Sequence, residues 1–162
     1  MQTALAALER LRAGNLRFRS KESTNEALKN LDLASHLEGQ RPFAIILGCS
    51  DSRVPVEHIF DQGLGDLFVI RVAGNIVAPS QVGSIEFAAE YFDTRLVVVL
   101  GHSQCGAVKA TLDQLQSPGE SHSPNLQSIV KRIEPALEPL LDNSCDDKQE
   151  HLMDAAVQAN IV

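Results

Sequence analysis

The chain has 162 residues, 44% of them hydrophobic and 22% charged, with a formal net charge of -7. That length suits one domain with a real core and is short for two. The acidic balance argues against nucleic acid as a partner, because phosphate binding needs a basic surface.

No apolar run approaches the roughly 18–20 residues that cross a bilayer, so no membrane partner is expected. The N-terminus sets Glu9, Arg10 and Arg12 among leucines and alanines. It reads as an amphipathic helix rather than a secretory signal, and the expected compartment is cytoplasmic. Three cysteines without an export signal favour metal binding or free thiols over a disulfide framework.

In chain order, Leu5, Leu8, Leu11 and Leu16 predict a first helix with one apolar face, interrupted near Gly14-Asn15. The polar stretch 20–30 reads as a loop or a short irregular helix. Residues 43–48 form a continuous apolar run of strand length, which predicts a strand covered on both faces. A second strand is expected over 67–72, a helix from about Val82 to Phe92, and a third strand over 96–100. A helix should begin near Gly106 and run to Leu115. The segment 116–125 has loop composition. Residues 126–141 are helical in pattern, but Pro135 and Pro139 should kink or divide that helix. A last helix is expected over 146–161. This alternation predicts an α/β fold: a single domain with a mostly parallel central sheet flanked by helices and an N-terminal helical arm.

Two segments carry chemistry, Cys49-Ser50-Asp51-Ser52-Arg53 after strand one and Gly101-His102-Ser103-Gln104-Cys105-Gly106 after strand three. Ligands of open α/β sheets bind at the carboxyl ends of strands. A single buried Cys is more often a small core residue than a ligand, and His102 alone would be an ordinary loop histidine. Jointly, Cys49, His102 and Cys105 favour a metal, and mixed thiolate and imidazole donors suit Zn2+. Three protein ligands leave one tetrahedral position open, as catalytic sites do. Asp51, if ionised, can only accept hydrogen bonds, and Arg53 is placed to pair with it. Alone, those two would read as a loop salt bridge of little worth. His36, His58, His122 and His151 read as surface or loop residues, and Cys145 as a free thiol.

The motifs Cys-x-Asp-x-Arg and Gly-His-x-x-Cys-Gly-Ala, with Arg71-Val72-Ala73-Gly74-Asn75 and Gly83-Ser84-Ile85-Glu86, resemble the β-class carbonic anhydrases. The likeness runs from about Leu8 to the end. It implies a carbonate dehydratase, a lyase in which Cys49, His102 and Cys105 hold zinc and a zinc-bound hydroxide hydrates CO2 reversibly to bicarbonate and a proton. Asp51 would orient that hydroxide with Arg53 holding it. In some members the matching aspartate instead takes the fourth zinc position in a closed state. Gln40, Phe68, Ala73 and Phe87 match substrate-binding positions, and the Gly106 N–H, at an expected helix N-terminus, is placed to hydrogen-bond a substrate oxygen as well. Members that bicarbonate regulates share a tryptophan where this chain has Ile46, so no strong regulation of that type is expected, although Arg71 matches that pocket's arginine. The resemblance implies a homodimer or a dimer-based higher oligomer, with 1–35 as the arm for subunit packing and 36–162 as the catalytic domain. Family members continue past the segment matching 159–162 through further helix and a final edge strand, which ordinarily support the sheet edge and the oligomer.

Two other readings stand beside this one. One is a hydrolase of the same fold acting on carbonyl sulfide or carbon disulfide. The other is a catalytically silent zinc protein with a structural or bicarbonate-binding role. A dinucleotide fold fails because no third glycine follows Gly63-Leu64-Gly65 at Phe68, and a dithiol redox role fails because no Cys-x-x-Cys occurs.

Overall fold

Three strands, β1 (Ala44–Gly48), β2 (Leu67–Arg71) and β3 (Val97–Leu100), form a parallel sheet in the order β2-β1-β3. The computed structural model describes residues 2–23, 37–117, 123–142 and 149–162. Two compact units share the chain, one within 1–47, 52–70 and 78–98, the other within 48–51, 71–77 and 99–162. The α/β class and the parallel sheet agree with the sequence reading.

In the first unit β1 is the central strand. Its residues Ala44, Ile45, Ile46 and Leu47 are buried, as their unbroken apolarity requires. Register is set by the Phe43 amide donating to the Asp66 carbonyl at 2.9 Å and the Ile45 amide donating to Leu96 at 2.8 Å. β3 lies at the sheet edge, and its Val97 and Val99 stay exposed.

Helix α1 (Ala4–Arg19) starts at Thr3, whose hydroxyl accepts from the Ala6 amide and caps it. Two expectations for this helix need correction. It does not break at Gly14-Asn15 but runs through both. A Cβ at Gly14 would stand 1.7 Å from the Phe60 carbonyl oxygen, so this glycine lets α1 lie against the turn after α2 (Val56–Ile59). Asn15 donates its side-chain amide to the Ile59 carbonyl there. Nor do the four leucines form one buried face. Ala7, Leu11 and Gly14 are buried, while Leu5 and Leu16 are exposed. At about 100° per residue those two project from the opposite side.

α3 (Pro79–Phe92) begins three residues before Val82, because Pro79 occupies the first turn, where its missing N–H costs nothing. Only Ala88 of this helix is buried. Phe87 stacks on Tyr91 at 4.4 Å between ring centroids and lies 6.3 Å from Phe68.

The second unit is helical. α4 (Gly106–Gln116), α5 (Pro124–Asp142) and α6 (Gln149–Ala159) pack together. Pro135 and Pro139 sit inside α5 and do not divide it. Val130, Ile133 and Leu137 are buried at helical spacing, and α5 packs on both α4 and α6. That burial offsets the hydrogen bonds the prolines cannot donate. His58 and His151 are exposed, as expected. His36, His122, Cys145 and most of the stretch 20–30 lie outside the described residues. Among the described residues no helix is long and apolar enough to cross a membrane.

Candidate metal centre

The second unit carries all three sequence-predicted ligands. Cys49 follows β1 directly and is buried. The amides of Asp51 and Gly74 both donate to its Sγ, each at 3.4 Å. Gly74 belongs to a 3-10 turn, Ala73–Asn75, with φ of 67°. A Cβ there would lie 2.7 Å from Ile133 Cδ1 and 3.0 Å from Ala107 Cβ. The turn therefore needs glycine for its left-handed backbone and for its close approach to α4 and α5.

His102 and Cys105 flank a bend in which Gln104 takes a left-handed φ of 54°. That bend lets both side chains face one point. His102 Nδ1 meets the Ser103 carbonyl at 3.0 Å. A carbonyl can only accept, so Nδ1 carries the proton and Nε2 keeps its lone pair. Nε2 is buried and has no hydrogen-bond partner. A buried lone pair without a partner is unfavourable unless something else uses it. Cys105 caps α4 and is buried. Burial, and secondarily the negative charge that Cys49 can carry, push its thiol above the ordinary 9.0, against the lowering effect of the Val108 and Ala107 amides. Both thiols are free.

The donor atoms of Cys49, His102 and Cys105 all lie within 4.8 Å of one another. The two sulfurs are 4.0 Å apart. Tetrahedral zinc with bonds of about 2.3 Å to sulfur requires about 3.8 Å. Two thiols, one unpartnered imidazole nitrogen and that spacing fit zinc. The ion would replace the thiol protons and use the Nε2 lone pair.

The carboxylate of Asp51 lies 4.0 Å from His102 Nε2, at the edge of this cluster. Arg53 is exposed. Arg71 does what the sequence did not suggest: its guanidinium donates to the Cys49 carbonyl at 2.8 Å and to the Asp51 carbonyl at 2.6 Å. It thereby ties down the loop that presents both side chains. Backbone carbonyls carry no residue-type signature, so only its place in Arg-Val-Ala-Gly-Asn marked this residue.

The five substrate-binding candidates divide between the units. Ala73 and Gly106 line one apolar cleft of about 260 Å3 with Ala107, Ala110, Leu126 and Ile129. Each is the immediate neighbour of a residue that touches or supplies a sulfur. Gln40, Phe68 and Phe87 belong to the first unit. Gln40 is exposed, in a polar cleft with Arg41 and Asp66. Phe68 and Phe87 share the aromatic cluster on β2 and α3.

The carbonic anhydrase family profile matches residues 44–162. A carbonic anhydrase of Mycolicibacterium smegmatis is 44% identical over 133 residues, which cover 82% of this chain and 64% of that protein. Carbonic anhydrase 2 of Mycobacterium tuberculosis is 41% identical over the same shares. The chain thus spans less than two thirds of the length of these curated relatives. Among solved structures, a tetrameric β-carbonic anhydrase from Sordaria macrospora superposes with a TM-score of 0.69 at 26% identity, over 89% of this chain and 74% of that one. The β-carbonic anhydrase CcaA gives 0.66 at 32% identity, over 95% and 70%.

Proposed function

This chain belongs to the β-class carbonic anhydrase family, and on that premise we propose that it catalyses the reversible hydration of CO2 to bicarbonate and a proton. The observation that carries the reading is the convergence of Cys49, His102 and Cys105 with Nε2 left unpartnered. When bound, zinc supplies Lewis acidity that makes hydroxide available near neutral pH.

The protein's own groups do the rest. Cys49 and Cys105 hold the ion as thiolates, and His102 holds it through Nε2. Asp51 accepts a hydrogen bond from the attacking water and turns an oxygen lone pair toward the CO2 carbon. Arg53 pairs with Asp51 and holds it as an acceptor. The Gly106 amide, at the start of α4, favours the negative charge that grows on the substrate oxygen. Ala73 offers an apolar wall that suits a small neutral molecule, and by family resemblance Phe68 and Phe87 serve the pocket of the neighbouring subunit. Gln40 hydrogen-bonds a substrate oxygen.

The working unit is a homodimer or a dimer-based oligomer in the cytoplasm. Two exposed apolar surfaces support the assembly: Phe87 with Tyr91 on α3, and Leu5 with Leu16 on α1. Residues 1–35 act as the packing arm, and 36–162 hold the catalytic machinery.

Stopped-flow CO2 hydration, with zinc measured on the same sample, tests this. Zinc near one per chain with turnover is expected. Zinc with turnover only of carbonyl sulfide or carbon disulfide would reassign the substrate. Zinc with neither activity would make the protein a silent member of the family.

A further inference from the structure

The end of α6 reaches the loop that carries His102 and the turn that donates to Cys49. Asn160, just past that helix, donates its side-chain amide to the Gly74 carbonyl at 2.9 Å, across 86 positions of chain. Gly74 in turn donates its amide to Cys49 Sγ. On the other side, Gly101, which precedes His102, is wedged against the same turn: a Cβ there would lie 2.8 Å from Ile161 Cγ2 and 3.2 Å from Val157 Cγ1. One helix end thus braces the residue before His102 and the residue behind Cys49.

We propose that Asn160 is a positioning residue for the metal centre, acting on the Cys49 sulfur through Gly74. Glycine at φ of 67° has more backbone freedom than any other residue. Packing from Ile133 and Ala107 limits where its Cα can go. It does not fix how the flanking peptides rotate. The hydrogen bond from Asn160 joins the Asn75 amide's bond to the Val72 carbonyl at 3.0 Å in holding the 74–75 peptide, and through the shared Gly74 Cα it limits rotation of the 73–74 peptide, whose N–H meets the sulfur. That N–H, 3.4 Å from Sγ, orients the sulfur that a metal would bind. Groups that orient ligands in this way change metal affinity about 10–100-fold when removed.

The inference rests on the three residues forming a metal site and does not depend on the reaction. The test therefore reads metal. The metal-free 162-residue protein is titrated with Co2+, following the thiolate-to-cobalt charge-transfer absorption. Zinc affinity is measured by competition with a chromophoric chelator. Asn160→Ala removes the amide. Asn160→Asp keeps the size but, once ionised, loses the donor. Val157→Ala loosens the same helix end without touching the hydrogen bond. Both Asn160 variants should bind zinc about 10–100-fold more weakly and shift the charge-transfer band, whereas Val157→Ala should leave the band in place. An unshifted band with zinc affinity within about twofold of the parent in Asn160→Asp overturns the proposal. So does a Val157→Ala variant that reproduces both changes, since Asn160 would then be merely structural. A parent protein without the thiolate band would sink the metal site itself, which is a separate failure.

Discussion

The sulfurs of Cys49 and Cys105 lie 4.0 Å apart although 56 positions separate them in the chain. No disulfide joins them, and the Nε2 of His102, the third residue of the same cluster, has no hydrogen-bond partner. Removing either sulfur leaves two donors, too few for a tight zinc site. Cys49→Ala and Cys105→Ala should each be purified with less than a tenth of the parent's zinc and no measurable CO2 hydration. Metal analysis of dialysed samples checks this, and full zinc occupancy in either variant would exclude that cysteine as a ligand.

Asp51 lies beside the cluster without being one of the three converging donors. Asp51→Ala should therefore keep its zinc and lose about 10²–10⁴-fold in kcat, the usual contribution of a positioned proton acceptor. Loss of metal in this variant would instead make Asp51 a resting-state ligand.

The buried Cys105 thiol ties both stability and metal uptake to pH. Its pKa is raised on folding from the ordinary 9.0, first by burial and then by Cys49. As pH climbs past the unfolded value, the unfolded chain ionises while the folded chain resists. The metal-free protein should thus keep this contribution below about pH 9 and lose it as pH rises through the folded value. Zinc binding must expel the thiol protons, so apparent zinc affinity should rise with pH by up to about tenfold per unit for each proton released. Urea melts of metal-free protein from about pH 7 to 10.5 and competition titrations from about pH 6 to 8 measure the two effects. A zinc affinity independent of pH would mean that no thiol proton is displaced.

Gly74 joins the left-handed turn to the sulfur. Gly74→Ala adds a methyl group 2.7 Å from Ile133 and forces alanine to a φ of 67°. The backbone penalty and the overpacking together should cost about 2–5 kcal/mol. Thermal melts should show the loss, and zinc affinity should fall with it because the N–H moves off Cys49. The double variant Gly74→Ala/Ile133→Val should recover part of the stability. No recovery would place the strain in the backbone alone.

The residue order alone determined the three strands and the three donors that cluster as a candidate metal site. An unbroken apolar run such as 44–47 can only be a covered strand here, and thiolate and imidazole donors are properties of residue types that no fold is needed to reveal. Gly14 looked like a helix breaker, and Pro135 and Pro139 looked like kinks, because local propensity was the only guide. The tertiary structure decided otherwise for Gly14, which admits the Phe60 carbonyl, and it keeps α5 undivided across both prolines through what that helix buries. Arg71 and Asn160 gained their places only on folding. Each donates to a backbone carbonyl, 20–22 positions away for Arg71 and 86 for Asn160. Every residue has such a carbonyl, so only the approach of distant segments can say which one a side chain will hold.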